Sequence, residues 1–100
     1  MIKHVVLWKL KEAPEGKTKQ EAAWELKTAL EALKAKIPVI LKLEVGLNFN
    51  PADTACDVSL YTEFKDRQDL DKYQKHPEHL KVAELVKSLT AERRVSDYEI

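Results

Sequence analysis

Apolar and polar positions alternate from Ile2 to Leu10, which predicts a strand. Ile2, His4, Val6, Trp8 and Leu10 fall on one face, and Lys3, Val5, Leu7 and Lys9 on the other. Both faces carry apolar side chains, so both are expected to be covered. After a loop containing Pro14 and Gly16, Thr18-Lys-Gln-Glu21 has capping-box spacing and predicts a helix start. Ala23, Leu26, Leu30, Leu33 and Ile37 then recur at intervals of three and four, a narrow apolar stripe on a helix ending at Pro38. Trp24 lies off that stripe.

A second strand is expected where Leu41, Leu43, Val45, Leu47 and Phe49 alternate with Lys42, Glu44, Gly46 and Asn48. Asn48 to Ala55, with Pro51 and Asp53, is a polar turn. Val58, Leu60, Thr62 and Phe64 alternate with Asp57, Ser59, Tyr61 and Glu63 in a third strand. Asp66 caps a helix running to about Lys75, and Pro77 interrupts it. A further helical segment carries Leu80, Ala83, Val86 and Leu89, and Val95 to Ile100 is expected to close the sheet. Strand, helix, strand, strand, helix, strand is the split βαβ order of a ferredoxin-like α+β domain. Its four-stranded antiparallel sheet has helices on one face.

Such a sheet leaves its second face bare. Here that face shows Val5, Leu7 and Tyr61 among Lys3, Lys9, Ser59 and Glu63. It is too apolar to stay wet, and two such faces closing about a two-fold axis would cover both, so a homodimer is expected.

Composition narrows the remaining choices. The 100 residues are 44% hydrophobic and 34% charged, which is globular and consistent with a single domain over 1–100. Lys plus Arg and Asp plus Glu are 17 each and interspersed, so no basic footprint for nucleic acid and no polybasic membrane anchor is present. The charges within the first ten residues argue against a signal peptide, and no long uncharged stretch suggests a membrane span. Cys56 is the one cysteine, too few for a disulfide or a zinc site, and a cytoplasmic location is expected.

Several segments resemble the stress-responsive dimeric α/β-barrel family. They are His4-Val-Val-Leu-Trp-Lys-Leu10, Gly46-Leu-Asn48, Asp57-Val-Ser-Leu-Tyr-Thr-Glu-Phe64, Asp97-Tyr98 and, most distinctively, Tyr73-Gln-Lys-His76-Pro77-Glu-His79. The resemblance covers essentially the whole chain and implies two ferredoxin-like subunits pairing into a dimeric α/β barrel. A plant polyketide-cyclase branch of that family uses a Tyr and a His that match Tyr73 and His79 for acid–base chemistry without a cofactor. The match departs from that branch at Val58, where the branch has a further His, and at Leu26 and Leu30, where it has aromatic residues.

Three histidines are candidates for chemistry. His4 shares the more apolar face of the first strand, where a satisfied core histidine is the simplest reading. His76 precedes Pro77 and suits a helix cap. His79 falls in the first turn of the following helix, where the helix dipole disfavours protonation and leaves a neutral imidazole fit to act as a base. On the family pattern Asp97 orients that imidazole, and Tyr73 supplies a phenolic proton or binds an enolate oxygen.

Three functions follow as expectations. The first is a dimer with a small apolar pocket in each subunit, walled by His4, Val6, Trp8, Leu26, Leu30, Leu60 and Thr62, that takes a small apolar ligand. The second is a cofactor-free acid–base enzyme, cyclase- or isomerase-like, using Tyr73, His79 and Asp97. The third is a purely structural, stress-protective oligomer. No cofactor is called for: Pro77 spoils a metal register for His76, Glu78 and His79, and nothing marks a haem ligand.

Overall fold

A computed structural model describes residues 1–100. Four strands form one antiparallel sheet in the order β2-β3-β1-β4: β1 (Ile2–Leu10), β2 (Lys42–Leu47), β3 (Val58–Phe64) and β4 (Thr90–Glu99). The helices are α1 (Lys19–Glu31), a short α2 (Leu33–Lys36), α3 (Arg67–Lys75) and α4 (Pro77–Leu89). No helix is long and apolar enough to cross a membrane.

The alternation read in β1 and β3 is realised residue by residue. Ile2, His4, Val6, Trp8 and Leu10 are buried, as are Val58, Leu60, Thr62 and Phe64. Across the sheet these positions line up in rows on the helix-covered side. Leu43, Thr62, His4 and Asp97 form one row, and Val45, Leu60, Val6 and Val95 the next. Leu47, Val58, Trp8 and Arg93 form the third.

Helix starts follow their caps. Thr18 and Glu21 form the expected reciprocal capping box, and the Asp66 carboxylate accepts from the Asp69 amide. The α1 stripe is buried through Leu33 and Ile37, but the helix breaks after Glu31, and Ile37 is extended ahead of Pro38. The second strand is shorter than its alternation suggests. Asn48 closes an Asx turn onto Asn50, which diverts the chain and leaves Phe49 97% exposed beyond the ladder.

The closing strand is longer than expected and begins at Thr90, directly off α4. The Thr90 hydroxyl and amide both donate to the Val86 carbonyl, ending the helix and turning the chain into β4. Ala91-Glu-Arg-Arg94 hides this strand because it is an edge, where charged side chains are tolerated and even useful. The additional length places Arg93 on the helix side, opposite Trp8.

Candidate functional site

The α3–α4 junction is set by His76. Its backbone is extended before Pro77, and its Nδ1 accepts from the Glu78 amide at 3.1 Å, so it caps α4 as its position suggests. The kink turns Tyr73, at the end of α3, and His79, in the first turn of α4, toward the same space. Their ring centroids are 4.5 Å apart with planes inclined at 61°. Tyr73 also meets Phe64 at 5.0 Å and His4 at 6.0 Å. Three histidine and tyrosine rings from β1, α3 and α4 therefore stand in one cluster.

Between α4 and the β1 side of the sheet lies a cavity of about 590 Å³. Its sheet wall is His4, Val6, Trp8, Leu60 and Arg93, with Leu30 from α1. Tyr73 and His79 close one end, and Leu80, Ala83 and Val86 supply much of the α4 wall. Five of the seven residues expected to wall a pocket reach it. Leu26 and Thr62 do not: Leu26 is wholly buried in the core, and the Thr62 hydroxyl is turned onto the His4 carbonyl at 3.1 Å. The α4 wall was foreshadowed only by the Leu80–Ala83–Val86 stripe, and nothing in the sequence pointed to Arg93.

Asp97 is not beside His79. The sheet register puts it directly opposite His4, and its carboxylate hydrogen-bonds His4 Nδ1. An ionised carboxylate only accepts, so His4 Nδ1 is the donor in this pair. His4 is the satisfied core histidine expected of it, and its partner is the carboxylate that the family pattern gave to His79.

Burial governs the electrostatics of the cluster. It pushes the Tyr73 phenol up to about 12, opposed by the Arg93 guanidinium, so the hydroxyl remains a neutral donor. Burial also holds His79 below the ordinary value of 6.5, with the Gln74 backbone opposing and the charges of His4, Arg93 and His76 assisting. The neutral imidazole expected of His79 is therefore favoured, with desolvation as the leading cause rather than the helix dipole. Trp8 Nε1 is buried with no hydrogen-bond partner, and His79 Nδ1, also buried, has only a poorly formed contact with the Gln74 backbone; both belong to residues of the cavity wall. Buried polar atoms are seldom left this way.

The lowered His79 value has a pH consequence. Below about 6.5 the unfolded chain binds a proton that the folded chain still refuses, so stability falls as pH drops toward the folded value. His79→Gln is expected to flatten that part of the profile. Urea midpoints between about pH 7.5 and 5, at fixed protein concentration, read it out, and a slope identical to wild type contradicts the assignment.

Fold and cavity together define a ferredoxin-like α+β protein with a ligand-sized space between one helix and the sheet. The chain belongs to the family described as the stress-responsive A/B barrel domain, whose model matches residues 2–100. Among solved structures it is similar to a dimeric protein of unknown function and ferredoxin-like fold from Bacteroides fragilis. That similarity has 40% identity and a TM-score of 0.86, covering 99% of this chain and 95% of that one. A dimeric ferredoxin-like protein of unknown function from Thermobifida fusca matches at 20% identity and TM-score 0.85, covering 99% and 90%. A hydroxynitrile lyase from Passiflora edulis matches at 16% identity and TM-score 0.84, covering 99% and 92%, a likeness of fold alone. No curated protein matches the chain.

Proposed function

We propose that the chain works as a homodimer and that each subunit holds a small, mainly apolar molecule in the cavity beneath α4. The observation that carries this reading is the coincidence of the cavity with the unpartnered Trp8 indole N–H and the poorly satisfied His79 imidazole. The volume lies within the range of small-molecule sites, which pair apolar walls with a few polar groups. The dimer rests on the open sheet face, where Lys3 donates to the Tyr61 hydroxyl at 2.7 Å and to Glu63 at 3.3 Å, and Tyr61 donates to Glu63. These polar groups satisfy one another, so covering this part of the face leaves none of the three unpaired. The dimeric neighbours from Bacteroides fragilis and Thermobifida fusca support the same assembly. A lone thiol at Cys56 suits the reducing cytoplasm.

The neutral fluorophore N-phenyl-1-naphthylamine tests the cavity. It is expected to brighten saturably with the wild type, and Ala83→Trp, which fills the α4 wall, is expected to abolish the signal. Equal binding by both proteins would place the probe elsewhere.

A second reading, cofactor-free acid–base chemistry, is favoured by the cluster at the cavity end. Tyr73 contributes a protonated hydroxyl with no protein hydrogen-bond partner, suited to a carbonyl or enolate oxygen. His79, neutral by burial, and His4, oriented by Asp97, are the candidate bases. Deuterium exchange at the methyl group of acetophenone, followed by NMR in D2O, tests it. Wild type is expected to accelerate exchange and Tyr73→Phe to lose about 10²-fold or more of that acceleration. No acceleration over buffer rules this reading out while leaving ligand binding intact.

A further inference from the structure

The polar groups of the cavity are not distributed evenly. Around Tyr73 and His79 they can both donate and accept. At the end where β4 leaves α4, Trp8, Lys87 and Arg93 stand together, and the same three residues, with Val86, also line a shallower hollow of about 180 Å³ beside the cavity. An indole N–H, an ammonium and a guanidinium donate only, and the carboxylate that shares the hollow with them, Glu92, is paired with Arg94 at 3.6 Å. Neither Arg93 nor Lys87 makes a salt bridge, whereas the other lysine or arginine of each element does, Lys81 with Glu78 on α4 and Arg94 with Glu92 on β4. The one carboxylate on the wall, Glu84, is also outside every salt bridge and leaves two cations facing one anion. The Trp8 indole N–H, 4% exposed as a residue, has no partner at all.

We infer that the cavity takes an amphipathic carboxylate, its apolar body on Val6, Leu30 and Leu60 and its anionic end on Arg93, with Lys87 and the Trp8 indole N–H as further donors. A guanidinium suits a carboxylate because its fork matches the two oxygens. Such a ligand satisfies the donor-only end, and its far end reaches Tyr73 and His79. This deepens the small-molecule reading above and rests on it.

Displacement of N-phenyl-1-naphthylamine by 2-naphthoate and by 2-naphthylmethanol, which share the ring system and differ in charge, tests the inference. The wild-type dimer is expected to bind the carboxylate about tenfold or more tightly than the alcohol, the size of a charge-assisted hydrogen bond. Arg93→Ala is expected to erase that preference with alcohol binding unchanged. Lys81→Ala, which removes the same charge from α4 away from the cavity wall, is expected to preserve it. Equal affinities of wild type for the two compounds, or a preference that survives Arg93→Ala or vanishes in Lys81→Ala, overturn the carboxylate assignment while the cavity reading stands. If the fluorophore itself does not bind, the cavity reading fails and takes this one with it.

Discussion

Replacing Tyr73 by alanine is expected to destabilise the protein by about 3–5 kcal/mol, whereas Tyr73→Phe changes stability by less than about 1 kcal/mol. The ring is 1% exposed and wedged among Phe64, His79 and His4, so truncation removes contacts from three elements at once. The hydroxyl is different. It has no protein hydrogen-bond partner, and burial has already raised its value to about 12, so the fold gains nothing specific from the oxygen. At about 4–8 °C per kcal/mol for a domain of this size, thermal midpoints at one concentration separate the two variants easily. A large loss in Tyr73→Phe would mean the hydroxyl holds the fold, and the site reading would lose its donor.

The second large effect lies on the other face of the sheet. Val5→Glu is expected to convert the dimer to monomer at micromolar concentration, measured by sedimentation equilibrium. Val5 sits opposite Tyr61 and Ser96 in the middle of the open face. A two-fold axis brings two copies of the substitution into one interface, and burying unpaired carboxylates costs several kcal/mol each. Lys3, two residues back on the same face of β1, already serves Tyr61 and Glu63. An unchanged dimer would place the interface somewhere other than this face.

The fold was legible in the sequence where physics is local. Two-residue alternation placed β1 to the residue and β3 to within one, and the Thr18–Glu21 and Asp66 caps placed two helix starts. Legibility failed where tertiary context decides. The start of β4 was missed because an edge strand need not alternate, and Arg93 was lost with it. Phe49 looked like a strand residue until the Asn48 turn took it off the ladder.

The candidate site was legible as membership rather than arrangement. Tyr73, His79 and His4 do share one cluster, but no local pattern could tell which histidine Asp97 serves. That depends on the β1–β4 register linking residues far apart in the chain, and it selects His4. The cavity depends on how far α4 stands from the sheet. Sequence expresses that only faintly, through apolar residues on α4 such as Leu80, 53% exposed, that stay incompletely buried.

The most direct measurement is an amide-resolved NMR titration of the labelled protein with N-phenyl-1-naphthylamine. If the central claim holds, saturable shifts concentrate on residues 79–87 of α4, on 4–8 of β1 and at the Trp8 indole N–H, the elements that wall the cavity. Shifts spread over the surface or confined to the exposed Trp24 and Phe49, with α4 and the Trp8 indole unmoved, would contradict it.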